Sequence, residues 1–300
     1  MTAAAPTAPA SKPRIRQRFN KAVPWLLLAP GLLWLLLFYV LPVIQMFTYS
    51  ISTGSIETGF TITFSADAYV EALTKFGKQF FNSILYGGLA TLFAFLIGFP
   101  VAYSIAFRGG RYKNLLLFLV VAPFFTSFLL RTISWKIILG DTGILLGPLK
   151  DIGLLPDEFR LLATPAAVIF GITYNFLPFM TLPIYVSLEK IDKRLVEAAE
   201  DLFATSFGAF RRVTFPLSLP GVFAGSLLTF IPAMGDYVNA QLLGNPDTTM
   251  IGNVIQNQFL TQNNYPTASA LSFLLMAGIL IAVAIYARLL GTDELTAGGV

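Results

Sequence analysis

The chain has 300 residues, 55% of them hydrophobic and 12% charged, with a formal net charge of +4 and a mean hydropathy of +0.71. That composition belongs to polytopic membrane proteins. Cysteine and histidine are both absent, which excludes disulfides, thiolate metal sites and the commonest general base, and no basic patch interleaved with aromatics points to nucleic acid.

Residues 1–22 form a polar tail that turns basic at Lys12, Arg14, Arg16, Arg18 and Lys21. The uncharged run that follows, residues 22–56, is far longer than the apolar core of a signal peptide. It predicts a retained first span over 23–49, with Pro30 and Pro42 inside and Trp25 and Tyr49 at the two interfaces. Residues 57–78 read as a polar loop and 80–107 as span two, ending at the basic turn Arg108, Arg111 and Lys113. Only 17 residues separate Lys113 from Arg131, so span three extends over 114–138 and carries Arg131 and Lys136 within it. Residues 140–160 are a breaker-rich loop, 164–188 span four, and 215–235 span five. An outer loop over 237–267 contains an apolar insert, 250–260, too short to cross. Span six covers 268–290, and 291–300 is a polar tail.

This all-α, six-span reading puts 14 of the 20 lysines and arginines on the side of the N-terminus. The positive-inside rule therefore assigns both termini and the charged segment between spans four and five to the cytoplasm. That segment, within residues 187–220, holds 10 of the 36 charged residues. Leu195, Ala198, Ala199 and Leu202 follow a helical stripe, expected to be buried against neighbouring elements, with Asp192 as the N-cap. A second short stripe comprises Phe207, Phe210 and Val213. The residues alone leave two places for such helices, the lipid interface or a protein partner.

Glu197-Ala198-Ala199, followed at the proper distance by Val213-Thr214-Phe215-Pro216, resembles the EAA loop of binding-protein-dependent ABC importer permeases. The family's glycine falls on Phe203, which departs from the pattern. The expectation is that Phe203 packs in a pocket of the ATPase or against span five while residues 204–206 make the turn. The resemblance implies the type I importer permease fold and a coupling loop at about 189–214. Glu197, Ala198, Ala199, Phe203, Phe207, Phe210 and Pro216 would then carry ATPase coupling.

A stretch from Pro123 through Arg131 and Thr132 to Trp135 and Gly140 is similar to the third-span motif of spermidine/putrescine permeases. A second, from Ile231-Pro232-Ala233-Met234-Gly235-Asp236-Tyr237 to Gln256, resembles the same family after span five. The likeness extends over about residues 25–290 and points to the B-type subunit. It implies a partner C-type permease, two copies of a cytoplasmic ATPase, an extracytoplasmic substrate-binding protein and a lipid bilayer around them, in the bacterial inner membrane. No cofactor is expected in this chain, ATP and magnesium being held by the ATPase; the sequence has no G-x-x-x-x-G-K-[ST] of its own. A non-catalytic permease subunit is thus the expectation.

Asp236, Tyr237 and Trp135 are the candidates for the substrate pathway. Asp236 follows the 23-residue uncharged run 213–235, and no lysine or arginine lies between Arg212 and Arg288. A carboxylate there serves a cation path, with Tyr237 and Trp135 adding π faces. A brace paired with Arg131 or Lys136 is the structural alternative. Related permeases for iron, sulfate or phosphonate remain open, as does a self-sufficient secondary transporter or channel.

Overall fold

The computed structural model describes residues 14–290. Helix α1 (Arg14–Leu35) runs through a π-turn at Leu36–Val40 into α2 (Leu41–Ser50). Its described part already includes Arg14, upstream of the span start expected at residue 23, because basic side chains end an apolar run without ending a helix. The remainder of the N-terminal tail and the tail 291–300 lie outside the described residues. Its apolar part, Pro24–Ser50, spans 27 residues, and at ~1.5 Å per residue it is long enough to cross a bilayer. From Pro24 to Leu41 every side chain is exposed, so this helix stands beside the bundle and needs lipid or another subunit around it.

The chain is not wholly helical. Strands β1 (Ser52–Ser55) and β2 (Gly59–Ile62) pair antiparallel, with Ser52 opposite Ile62 and Ser55 opposite Gly59. The hairpin is pinned by Phe60, whose ring packs 5.1 Å from Tyr49 and 5.6 Å from Tyr265. Helix α3 (Asp67–Tyr103) then starts well before residue 80, absorbing most of the expected loop. Its first turns are polar and its later turns apolar, and the helix kinks between the two at Phe76 (φ −117°, ψ 17°).

Span three is not one helix. Helix α4 (Lys113–Val121) tightens into a 3₁₀ turn at Ala122–Phe125, and α5 (Phe128–Ile138) leaves it at 92°. Pro123 has no N–H to continue the ladder, and Thr126 and Ser127 are extended (ψ 144° and 135°). A short α6 (Leu146–Asp151) interrupts the next loop. Helix α7 (Pro165–Glu189) is capped by Thr164, whose hydroxyl accepts from the Ala167 amide (3.3 Å), with proline at its first position. Helices α8 (Lys193–Asp201) and α9 (Ser206–Ala209) precede α10 (Phe215–Met234). The expected outer loop instead contains α11 (Val238–Leu243) and α12 (Ile251–Leu260) before α13 (Tyr265–Leu290). Among the described residues, long, apolar helices thus account for five candidate spans, or six if the bent pair counts as one.

Helices α3, α7 and α10 form the core. Within lipid, helix association rests on close van der Waals packing, which small residues permit. Gly221 and Gly225, one turn apart on α10, show this directly. A Cβ at Gly221 would lie 2.6 Å from the Pro183 carbonyl oxygen, and one at Gly225 would lie 2.8 Å from that of Met180. At one end of the bundle Lys113 pairs with Glu189. At the other end Lys78 meets Asp247 (2.7 Å), and its ammonium holds that carboxylate below the usual range. There Asn82 also donates to the carbonyls of Asp247 (3.1 Å) and Thr249 (3.0 Å).

Candidate functional site

Two constellations stand out, one at each end of α10. The first is the α8–α9 projection. Asp192 caps α8 as its sequence position predicts, accepting from the Arg194 amide (3.0 Å). The far end of α8 closes by a Schellman turn: Ala204 N–H donates to Ala199 (3.1 Å) and Phe203 N–H to Glu200 (2.9 Å). Phe203 occupies the left-handed position at φ +65°. The turn is therefore made at residue 203 itself, not at 204–206. The left-handed backbone directs its ring away from the bundle, so Phe203 is 97% exposed and does not pack on α10. Thr205 then caps α9, its hydroxyl accepting from the Gly208 amide (3.1 Å).

Phe210 anchors this projection. Its ring is edge-on to Phe99 (5.8 Å) and Tyr103 (5.9 Å) of α3, and Ala209 and Thr214 beside it are buried. Phe210 is consequently half-buried rather than part of an outward patch, and Pro216, in the first turn of α10, is half-buried too. The stripe on α8 is not covered by the described residues: Leu195 and Ala198 are exposed, Leu202 is 81% exposed, and only Ala199 is half-buried. The reason is geometric, since α8 reaches out from the bundle and packs chiefly on α9 and the turn that follows. With Phe203 and Phe207, 72% exposed, it leaves a cluster of large apolar side chains in the open, with Glu197 exposed on the same helix.

The second constellation lies where α5, α7 and α11 meet. Asp236 is buried, at 6% exposure. One of its carboxylate oxygens accepts from the Asn239 amide (2.8 Å) and the other from the Asn239 side chain (2.9 Å). The Asn239 side-chain oxygen accepts from Asn175 of α7 (3.0 Å), whose amide also lies 3.1 Å from the Thr132 hydroxyl on α5. Charge-assisted bonds of this kind are about twice as strong as neutral ones and hold the carboxylate in place. Among the described residues no ion pair joins Asp236 to Arg131 or Lys136. Lys136 is exposed, and the Arg131 guanidinium stacks 4.9 Å over Phe124 and 5.9 Å from Phe128. The 92° bend explains this, because the cation–π partners come from the kinked segment and the first turn of α5.

Trp135 packs edge-on against Phe170 (4.7 Å) and Tyr174 (5.1 Å) of α7. Tyr237 is partly exposed, and its carbonyl accepts from the Asn253 side chain (2.7 Å). The three pathway candidates thus share one junction, with Asp236 inside it and the aromatics on its surfaces. Reasoning from sequence missed Thr132, Asn175 and Asn239. Asn175 carried a signal, as the sole carboxamide within a predominantly apolar helix.

Comparison with known proteins gives the family and the fold. Residues 90–290 match the family model described as binding-protein-dependent transport system inner membrane component. The chain is 39% identical over 256 residues to the spermidine/putrescine transport system permease protein PotB of Haemophilus influenzae, covering 85% of this chain and 90% of that one. It is 36% identical over 253 residues to PotB of Escherichia coli, covering 83% and 92%. The fold matches a subunit in the crystal structure of a bacterial ABC transporter that imports the acidic polysaccharide alginate. That match has a TM-score of 0.75 at 20% identity and covers 93% of this chain and 98% of the other. A chain of the MetNI methionine ABC transporter matches with a TM-score of 0.56 at 18% identity, over 76% of this chain and all of that one.

Proposed function

Since this chain belongs to the binding-protein-dependent transport system inner membrane component family and is homologous to PotB, we propose that it is the B-type permease subunit of an ATP-driven polyamine importer. It is a multi-pass inner-membrane protein. Counting the bent α4–α5 pair as one span gives six, with both termini and the α8–α9 projection in the cytoplasm, as the distribution of lysine and arginine favours. The observation that carries the reading is the EAA-type loop folded as a projecting helix pair, whose Leu202, Phe203 and Phe207 have no cover among the described residues. An apolar cluster of this kind on a water-facing loop calls for a partner surface.

In this reading a separate ATPase, present in two copies, receives the projection of this chain and that of a second, C-type permease. ATP binding brings the ATPase copies together and moves the projections. Phe210, wedged on Phe99 and Tyr103, passes that motion to α3, and the bundle opens to an extracytoplasmic binding protein. Hydrolysis resets it. The pathway runs between the two permeases. Here Asp236 is a brace that fixes the α10–α11 junction through Asn239, while Tyr237 and Trp135 offer aromatic faces to a passing ammonium. A stand-alone transporter or channel leaves the apolar cluster of α8 and α9 unexplained.

The test is co-purification from native membranes followed by reconstitution. The importer reading expects an ATPase, a second permease and ATP-dependent uptake of spermidine or putrescine. ATP-dependent uptake of iron, sulfate or phosphonate instead would keep the class and overturn the substrate. Amine uptake without any ATPase would overturn the class.

A further inference from the structure

The break between α4 and α5 leaves a buried cation with no counter-charge. Arg131 is 8% exposed and joins no ion pair among the described residues, Asp236 being taken up by Asn239. Its Nε and Nη1 are buried without a hydrogen-bond partner, so Nη2, which bonds no described group either, is the nitrogen that reaches the surface. Aromatic rings stand where a carboxylate would. Phe124 and Phe128, against the guanidinium, belong to a circuit of four that Phe176 and Phe179 of α7 complete. Phe124 meets Phe179 (5.1 Å), Phe179 meets Phe176 (6.0 Å), and Phe176 meets Phe128 (6.3 Å). Ring faces attract a cation but leave most of its N–H donors unused.

The backbone adds charge of the same sign. Helix α5 has 11 residues, Ser127 makes no capping bond, and the amides of Phe128, Leu129 and Leu130 have no partner among the described residues. That positive helix end and the guanidinium beside Phe128 meet at one bend, where Thr126 and Ser127 are exposed. Depth then limits what can answer them. Nine residues of α4 and four of the 3₁₀ turn set the bend roughly 20 Å from Lys113. Along α7, Phe179 stands roughly 15 Å from Glu189, the partner of Lys113. Arg131 is thus near the middle of a hydrocarbon layer about 30 Å thick, out of reach of lipid headgroups on either side. Phe125 and Phe179 are exposed there, and the face continues along α7 and α10 into an apolar groove lined by Leu182, Val186, Leu217 and Ala224.

We propose that a carboxylate side chain of the second permease seats at the α4–α5 bend, against Nη2 of Arg131 and the free amides of α5, so that an ion pair joins the two subunits at mid-membrane. A charge at that depth is held by pairing, and another protein subunit is the source of an acid that can reach it. The pair also selects the partner, since a permease without the acid would leave the cation buried and unanswered. The proposal rests on the two-permease reading above.

The complex is purified from native membranes through a tag on this chain, and the second permease recovered with it is quantified. Arg131→Met suits the aromatic surroundings without the charge, and Arg131→Lys keeps the charge without the planar fork. Recovery of the second permease is expected to fall about tenfold in Arg131→Met and less in Arg131→Lys, with the tagged chain inserted at wild-type level. Independently of any change at Arg131, each Asp and Glu within the partner's spans is changed to its amide. One of these should reproduce the loss, and joining it to Arg131→Met should restore recovery above either single variant. Unchanged recovery in Arg131→Met, or failure of every partner amide to reproduce the loss, would overturn the proposal. Loss of bound phospholipid in place of the second permease would overturn it too. A wild-type chain that brings down no second permease would overturn the two-permease reading itself, and this proposal with it.

Discussion

Ala204 N–H donates to the Ala199 carbonyl (3.1 Å) only because the residue between α8 and that bond, Phe203, takes a left-handed backbone at φ +65°. A phenylalanine therefore performs the turn for which the family pattern has glycine, at a cost of roughly 1 kcal/mol, and gains a fully exposed ring by it.

Replacing that ring separates the two effects. Phe203→Gly relieves the backbone, so the permease alone should melt at the same temperature or slightly higher. Its affinity for the ATPase should fall by roughly tenfold, the scale of one aromatic anchor at an interface. Titrating the purified ATPase onto permease in nanodiscs measures this. A tighter complex with the Phe203→Gly variant would mean that the ring is no anchor.

Charge reversal on the same helix should uncouple without unfolding. Glu197 is exposed, and Glu197→Arg should leave membrane insertion and folded yield at wild-type levels. Substrate-stimulated ATP hydrolysis and uptake should drop to background. Wild-type coupling in this variant would remove α8 from the docking surface.

At the other end of α10 the expected phenotype is structural. Asn239→Leu strips the Asp236 carboxylate of its side-chain donor and leaves a buried charge poorly satisfied, at a cost on the order of 3–5 kcal/mol. Asp236→Asn keeps one acceptor but sets an amide against the Asn239 amide, costing about 1–3 kcal/mol. Folded yield should fall in both, more steeply in Asn239→Leu, and uptake should fall in proportion to it. Full folding of Asp236→Asn with selective loss of uptake would restore Asp236 as a substrate ligand.

Much of this was legible in the chain itself, and each exception has its own physical cause. The long apolar runs locate the helices at Pro24–Ser50, Pro165–Glu189 and Tyr265–Arg288, because a bilayer demands that length of apolar surface. Asp192 is readable as a cap, since capping is local. The 92° break at Thr126 and Ser127 is not, because hydropathy is blind to direction and prolines are common within spans that stay helical, as Pro24 and Pro30 show. The partners of Asp236 were missed for another reason. Asn175 and Asn239 lie 64 residues apart, and nothing local announces which carboxamides will meet. The exposure of Leu202 follows from α8 projecting away from the bundle, which periodicity cannot report.

Close approach of α10 to α7 gives a test of the core. A β-branched side chain at Gly221 meets the Pro183 carbonyl oxygen and the Ser187 Cβ at about 2.6 and 2.5 Å. Backbone cannot swing aside as a flexible side chain can. Gly221→Val should lower stability by about 1–3 kcal/mol, read as a reduced melting temperature in detergent. An unchanged melt would mean that the two helices separate freely.

The projection itself can be probed with unusual specificity, because the chain has no cysteine. Phe207→Cys places a single thiol at an exposed position of α9, where a water-soluble maleimide reaches it. The decisive measurement is the labelling rate of that thiol in inside-out vesicles, with and without the co-purified ATPase. Docking predicts rapid labelling of the permease alone and at least roughly tenfold slower labelling once the ATPase is bound, with insertion of the variant unchanged. Equal rates in the two states, with the ATPase present and bound elsewhere, would contradict the assignment of α8 and α9 as the coupling site.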